Sequence, residues 1–136
     1  MKVVILGCGR VGATLATQLD KAGHTVLVID SNSDAFLRLD PSFGGEQITG
    51  NGLNQEVLRR AGIETADAFV AVTNGDNRNI MASQIAKEIF HVKKVVCRIY
   101  DPLRQKTYTE LGLEAISPTN IGANIFFEAL TGSKPD

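Results

Sequence analysis

The sequence lacks an excess of charge of either sign and a long apolar run. Its 14 basic and 15 acidic residues give a net charge of −1, so we expect no binding of nucleic acid or of an anionic membrane surface. No apolar run approaches a membrane span. The short apolar run at residues 2–6 fits a buried strand better than a signal peptide. The length, 136 residues, suits one domain with its own core.

Cysteine and histidine are scarce, with two of each. Cys8 and Cys97 lack Cys-x-x-Cys spacing and lie in apolar runs, which indicates buried thiols in a reducing cytoplasm. His24 and His91 have no second ligand at metal spacing, so we predict no metal site.

Short apolar runs alternate with helical patterns along the whole chain. The strands are predicted at 2–6, 25–30, 46–50, 68–73, 94–100 and 114–117, and the helices at 11–23, 33–40, 54–62, 77–90, 103–112 and 120–130. Because the strands are continuously apolar, they are expected to be covered on both faces. The pattern predicts an α/β, Rossmann-like, doubly wound parallel sheet of six strands, ordered 3-2-1-4-5-6.

A Gly-x-Gly-x-x-Gly motif joins the first strand to the first helix. Gly7 permits a tight turn, Gly9 lets the backbone approach a pyrophosphate, and Gly12 lets the helix pack close to the strand. The N–H groups around Arg10 and Val11 then face the phosphates at the helix N-terminus. The alternative is a tight turn with no ligand, and the strand–helix context favours the phosphate loop.

Arg10 is unusual because the helix dipole disfavours a cation at a helix N-terminus. A bound anion would reverse that effect, so Arg10 is expected to clamp a pyrophosphate or a terminal phosphate. A solvated surface arginine is the alternative.

Asp30 ends the second strand, 18 residues after Gly12. A carboxylate at this place accepts hydrogen bonds from both hydroxyls of an adenosine ribose and repels a 2′-phosphate, which disfavours NADP. The alternative role, capping the next helix, suits Ser31 or Asn32 better. Ser31 is included in the predicted site.

Two further loops follow predicted strands. After the third strand, the Asn51 amide could meet an adenine edge and Leu53 could cover the adenine face, although Asn51 and Gly52 would also suit a simple turn. After the fourth strand, Thr73 and Asn74 should lie beside the glycine loop at the topological switch point.

Two charged residues near the same crevice have alternatives. Asp76 is interpreted as an N-cap of the following helix rather than a ligand contact. Arg98 is predicted to point into the crevice, and a salt bridge with Asp101 is its alternative.

These stretches together resemble the regulator-of-conductance-of-potassium (RCK) domain, also called the KTN or TrkA-N domain. The resemblance covers Val3 to about Leu130 and rests on "VVILGCGRVGATLA", "GHTVLVID", "TGNGLNQEVLRRAGI", "ADAFVAVTNGDNRNIMASQIAK", "RIYDP" and "LGLEAISPT". One departure is Asn51, where many relatives have Asp and some also have Asn.

The resemblance implies a cytoplasmic, non-enzymatic regulatory subunit of a Trk- or Ktr-type potassium transporter, or a channel gating ring, held at the inner face of the membrane by its partner. Such domains bind NAD(H), ATP, ADP or AMP and pass the change to the pore. By carry-over, the phosphates would be bound by the glycine loop, the ribose by Asp30, the adenine side by Asn51, and the rest of the ligand by Thr73 and Asn74.

The chain's end bears on its organisation. We expect a nucleotide-binding domain at 1–131 and a tail or start of a linker at 132–136. Most relatives carry a second, smaller domain, so the chain is either part of a longer one or a stand-alone N-terminal domain.

The last predicted helix, at 120–130, carries adjacent Phe126 and Phe127. One apolar face is expected to pack on the parent domain and the other on a partner, as a crossover helix that makes a homodimer or larger ring. The alternative buries both phenylalanines within one subunit.

An enzyme is the other class considered. A nicotinamide dehydrogenase needs a substrate pocket and a proton donor, and neither a cleft histidine nor a Ser/Tyr/Lys relay is evident. The remaining form of this hypothesis is that the chain is a fragment of an NAD-dependent oxidoreductase.

Overall fold

The computed structural model describes residues 1–136 and is built on one six-stranded sheet. All neighbouring strands are parallel, and their spatial order is β3-β2-β1-β4-β5-β6. The predicted α/β class and strand order are therefore confirmed. The strands are β1 Lys2–Leu6, β2 Thr25–Asp30, β3 Glu46–Thr49, β4 Ala68–Ala71, β5 Lys94–Arg98 and β6 Glu114–Ile116.

Helices follow the strands as the sequence pattern predicts. They are α1 Arg10–Lys21, α2 Gln55–Arg60, α3 Asp76–Gln84, α4 Pro102–Glu110 and α5 Pro118–Thr131, with a π turn at Ile85–Ile89 that continues α3 and 3-10 turns at Ser33–Arg38 and Ile63–Thr65. The predicted α-helix at 33–40 is a 3-10 helix. It spans only six residues, because the chain returns to an extended conformation at Leu39.

Each face of the sheet has its own apolar core. One face carries a cluster of 18 buried residues that includes Leu58 of α2, Phe69 of β4 and Ala82 of α3. The other face carries 11, including Ile5 of β1 and Ala16 of α1. Strands covered on both sides need apolar residues at successive positions, which is why β1 and β2 contain almost no polar residue.

The second face is covered only over part of its width. An apolar groove of about 330 Å³ lies beyond α1, where Val70, Val96 and Ile116 remain partly exposed. Of the helix that follows β6, only the first residue, Pro118, lines this groove. No residue of α5 is buried, and Ile125 and Leu130 are 63% and 86% exposed.

The expectation that one face of α5 packs on its own domain is therefore wrong, and so is the alternative that buries Phe126 and Phe127 within one subunit. Helix α5 begins directly after β6. Ser117 caps it by accepting a hydrogen bond from the Asn120 N–H, and Pro118 occupies the first turn. No helix in the structure is both long and apolar enough to cross a bilayer.

Close contact between α1 and the turn after β1 depends on two glycines. Gly7 has φ +109°, a conformation that other residues rarely adopt. A Cβ on Gly12 would lie 1.9 Å from the Gly7 carbonyl oxygen. Helix α1 can begin this close to β1 only because neither Gly7 nor Gly12 has a side chain.

We predict that Gly12→Ala lowers the free energy of unfolding by about 3 kcal/mol, because the added methyl group must push α1 away from β1. Gly9→Ala is the matched control. A Cβ there meets no atom within 4 Å, so its cost is expected to be about 1 kcal/mol or less. Urea denaturation of both variants measures the difference, and equal destabilisation would contradict this account.

Candidate functional site

One cleft of about 850 Å³ opens at the carboxyl ends of the central strands. Parallel strands end at one edge of the sheet, and the loops after β1 and β4 lie side by side there because these strands are neighbours. Twelve of the thirteen predicted site residues line this cleft: Gly7, Gly9, Arg10, Val11, Asp30, Ser31, Asn51, Gly52, Leu53, Thr73, Asn74 and Arg98. The thirteenth, Gly12, is buried against Gly7.

Asp30 is held in a fixed orientation by two backbone N–H groups. Its Oδ2 accepts a hydrogen bond from the Cys8 N–H at 2.8 Å, and its Oδ1 accepts one from the Asn32 N–H at 2.9 Å. Each carboxylate oxygen keeps capacity for another donor. The adjacent 3-10 helix is capped by Asn32, whose side chain accepts from the Asp34 N–H, so Asp30 is left for the cleft.

The N-terminus of α1 opens into the cleft without a cap. The capping position, Gly9, has no side chain, and the first turn of the helix contains no acidic residue. Its first N–H groups therefore have no side-chain partner, and an anion is the group that would satisfy them. Arg10 is exposed and forms no ion pair.

Asn51 makes the turn that was the alternative to an adenine contact. Its Oδ1 accepts from the Leu53 N–H at 2.9 Å, which closes the loop after β3. Its Nδ2 makes no intramolecular hydrogen bond and remains a donor at the edge of the cleft.

The interpretation of Asp76 as an N-cap is wrong, and so is the alternative that pairs Arg98 with Asp101, whereas Arg98 lines the cleft as predicted. Helix α3 begins one residue earlier than predicted, so Gly75 is the capping residue and Asp76 is the first helical one. The Asp76 carboxylate instead accepts from the Tyr100 N–H at 2.7 Å. Arg98 forms no salt bridge with Asp101, which caps α4 by accepting from the Leu103 N–H.

Arg98 stacks on an aromatic ring in the cleft. Its guanidinium carbon lies 4.0 Å from the centroid of the Tyr100 ring, and its Nε is buried without a hydrogen-bond partner. Residues 98 and 100 are two apart at the end of β5, which places both side chains on one side of the chain.

Several lining residues were missed by the sequence analysis. They are Leu6, Asn32, Ala35, Arg38, Gly50, Val72, Arg78 and Tyr100. Arg38 ends the 3-10 helix, and its Nη1 lies 3.4 Å from the Cys8 carbonyl oxygen. Arg78 lies in the first turn of α3, and its place beside the loop after β4 was the available signal.

Positive charge dominates the cleft. Four arginines line it, at positions 10, 38, 78 and 98, and Asp30 is its one acidic residue. None of the four forms an ion pair with a carboxylate. Although the net charge of the chain is −1, four unpaired arginines lie together in the cleft, which suits a ligand with several negative charges.

The thiol within the glycine loop is not reactive. Burial raises the pKa of Cys8 to about 11, and the Asp30 carboxylate adds to that rise while Arg38 opposes it. A thiol with this pKa stays protonated at neutral pH and is a poor nucleophile. The structure contains no cluster of three or more His, Cys, Asp or Glu side chains that could hold a metal ion.

Comparison with known proteins identifies the family. The sequence model of the TrkA-N domain matches residues 3–118. The Trk system potassium uptake protein TrkA of Streptomyces coelicolor is 47% identical over 99% of this chain and 61% of its own length. A TrkA homolog of Pyrococcus abyssi is 35% identical over 96% of this chain and 60% of its own. The chain thus spans about three fifths of these curated relatives.

Solved structures share the fold. The GsuK RCK domain superposes with a TM-score of 0.79 at 25% identity, over 96% of this chain and 28% of that one. The AMP-bound Kef C-terminal domain of Shewanella denitrificans has a TM-score of 0.79 at 19% identity, over 98% and 83%. The NAD-bound GsuK channel has a TM-score of 0.69 at 19% identity, over 86% and 21%.

Matches of this kind, over nearly the whole chain and with high identity to TrkA proteins, establish the relationship. The chain belongs to the TrkA-N domain family.

Proposed function

We propose that this chain is the nucleotide-binding domain of a regulatory subunit of a potassium transport system. It binds NAD(H), or AMP, ADP or ATP, in the cleft and transmits that state to a membrane-embedded transporter or channel. The domain comprises residues 1–131, and residues 132–136 are a tail or the start of a linker. The subunit acts as a sensor rather than as an enzyme, in the cytoplasm at the inner face of the membrane.

The observation that carries the proposal is Asp30 beside the glycine loop. A ribose hydroxyl can donate to either carboxylate oxygen, while the pyrophosphate meets the uncapped N-terminus of α1. One hydrogen bond, from the Cys8 N–H, links the two places, so they keep a fixed spacing.

Relatives support the choice of ligand and of partner. The matched TrkA proteins are named for potassium uptake, and the AMP-bound Kef domain and NAD-bound GsuK channel show adenine nucleotides bound by proteins of this fold. The four unpaired arginines suit the phosphates of any of these ligands.

Transmission requires a second copy and two states. A nucleotide shifts an assembly only by binding its two states unequally, and a tenfold preference corresponds to about 1.4 kcal/mol per site. We assign the contact between copies to α5, whose isoleucine, phenylalanine and leucine side chains are 42–86% exposed. The assembly is a homodimer or a larger ring. Nucleic acid is not a partner.

An oxidoreductase fragment is the second candidate. Tyr100 is the only tyrosine that lines the cleft, and no histidine or lysine does. The Tyr100 ring stacks on Arg98 instead of pairing with a base. The sensor is therefore favoured, and NADH bound to the protein should remain reduced.

The first prediction concerns Asp30. Asp30→Ala should weaken binding of every nucleotide among NADH, NAD, ATP, ADP and AMP by about tenfold or more, because a hydrogen bond to a charged group contributes about 1.5–3 kcal/mol. Isothermal titration calorimetry measures the affinities. Asp34→Ala, an exposed acidic residue outside the cleft, is the control and should bind normally. No binding by the unchanged protein would refute the proposed function.

The second prediction concerns Arg10. Arg10→Ala should reduce affinity for ATP about tenfold more than affinity for AMP, because the side chain clamps a distal phosphate. Competition against a fluorescent adenine nucleotide provides the comparison. Arg60→Ala, on the exposed side of α2, should leave the ratio of affinities unchanged. Equal loss for both nucleotides would show that Arg10 does not discriminate phosphate number.

The third prediction concerns α5. The protein should be at least dimeric in light scattering at high micromolar concentration. Replacing both Phe126 and Leu130 with Ser should shift it towards a monomer, because these side chains are exposed in the single subunit. Glu128→Gln is the control on the same helix. If the unchanged protein is a monomer, the proposal that α5 joins two copies is refuted.

A further inference from the structure

Asn79 is a buried polar residue with every hydrogen-bonding position used. The side chain is 0% exposed within α3. Its Oδ1 accepts from the Thr73 N–H at 2.9 Å and from the Thr73 hydroxyl at 2.6 Å. Its Nδ2 donates to the carbonyl oxygens of Thr73 at 3.0 Å and Arg98 at 2.9 Å. An amide has two donors and two acceptor positions, so the set is complete.

These bonds begin where the sheet ends. The ladder between β4 and β5 pairs residues as far as Ala71 and Cys97. Beyond that pair the two chains are joined by the Asn79 side chain, which bridges Thr73 to Arg98. A second α3 side chain acts nearby, since Asp76 accepts from the Tyr100 N–H. Helix α3 therefore sets the spacing of the loops after β4 and β5.

Both bridged residues line the far end of the cleft, opposite Asp30. Asn74, Arg78 and Tyr100 lie there as well. Arg98 offers a buried Nε with no partner, and its guanidinium is already held against the Tyr100 ring. Neither Arg78 nor Arg98 is paired with a carboxylate. A buried N–H donor without a protein acceptor, close to a second unpaired arginine, is a group that an anion would satisfy.

We propose that Asn79 is a positioning residue that holds Thr73 and Arg98 in place so that the far end of the cleft receives a nucleotide's distal phosphate. The inference rests on the proposed function and deepens it. Asn79 itself touches no ligand and acts through Arg98, which supplies the contact. The near end, with Asp30 and the glycine loop, would suffice for AMP.

The test compares ATP with AMP by calorimetry. Asn79→Ala should lower the ratio of ATP to AMP affinity about tenfold, and Arg98→Gln should lower it by a similar factor. The double variant should be no worse than Arg98→Gln alone, because the first residue works through the second. Combined with Arg10→Ala, which no hydrogen bond joins to Asn79, the effects should multiply instead. Asn77→Ala, an exposed residue of the same helix turn, is the matched control and should leave the ratio unchanged.

Two outcomes would overturn the inference. Equal loss of AMP and ATP affinity in Asn79→Ala would mean a merely structural role, and an unchanged ratio in Arg98→Gln would remove the phosphate contact. If Asn79→Ala does not fold, Asn79→Ser replaces it, since it removes the amide without introducing a buried charge. Arg98→Gln decides the phosphate contact in either case. Failure of the unchanged protein to bind any of NADH, NAD, ATP, ADP and AMP would instead refute the proposed function, so the two failures are distinguishable.

Discussion

The close approach of α1 to the first strand is the constraint on which the cleft depends. Gly12 lies against the carbonyl oxygen of Gly7, where any side chain would collide with the backbone. Because α1 begins so close to the end of β1, its uncapped N–H groups lie beside the loops that follow β1 and β4. The carboxylate of Asp30 then reaches the loop from the neighbouring strand. The proposed phosphate loop and its spacing from the proposed ribose acceptor thus depend on one short backbone contact, at the switch point that the strand order creates.

The strands of the sheet and the near end of the cleft could be predicted from the residues alone. Strands β1 and β2 carry unbroken apolar runs between glycine turns, and their predicted bounds match the structure. The glycine spacing and Asp30 were enough to place the near end of the cleft, because a strand–turn–helix unit leaves few ways to arrange them. Local periodicity suffices wherever the interacting groups belong to one βαβ unit.

Thr73, Asn74 and Arg98 at the far end were also predicted, but the hydrogen bonds that hold them were not, because the bonded groups come from different units. Asn79 resembles a surface residue in a helix of low apolar content, and its four hydrogen bonds depend on the pairing of β4 with β5. Asp76 was predicted to cap α3, but the helix begins at Asp76 itself, one residue earlier than the predicted start at 77. The prediction that one face of α5 packs on its own domain was wrong for another reason. An apolar stripe predicts burial but does not name the surface that buries it, and here its own domain does not provide that surface.

The hydrogen bond from the Cys8 N–H to Asp30 has a consequence for changing ligand preference. Acceptance of a phosphorylated ribose would normally call for replacing this carboxylate with a neutral or basic side chain. Here the same carboxylate anchors the turn that carries the glycines proposed to bind phosphate, and the Asn32 N–H also donates to it. Such a replacement would release the loop while opening room for the extra phosphate. The proposed ribose selectivity and the loop geometry therefore depend on the same side chain, and a redesign must supply a new acceptor for the loop before it removes the old one.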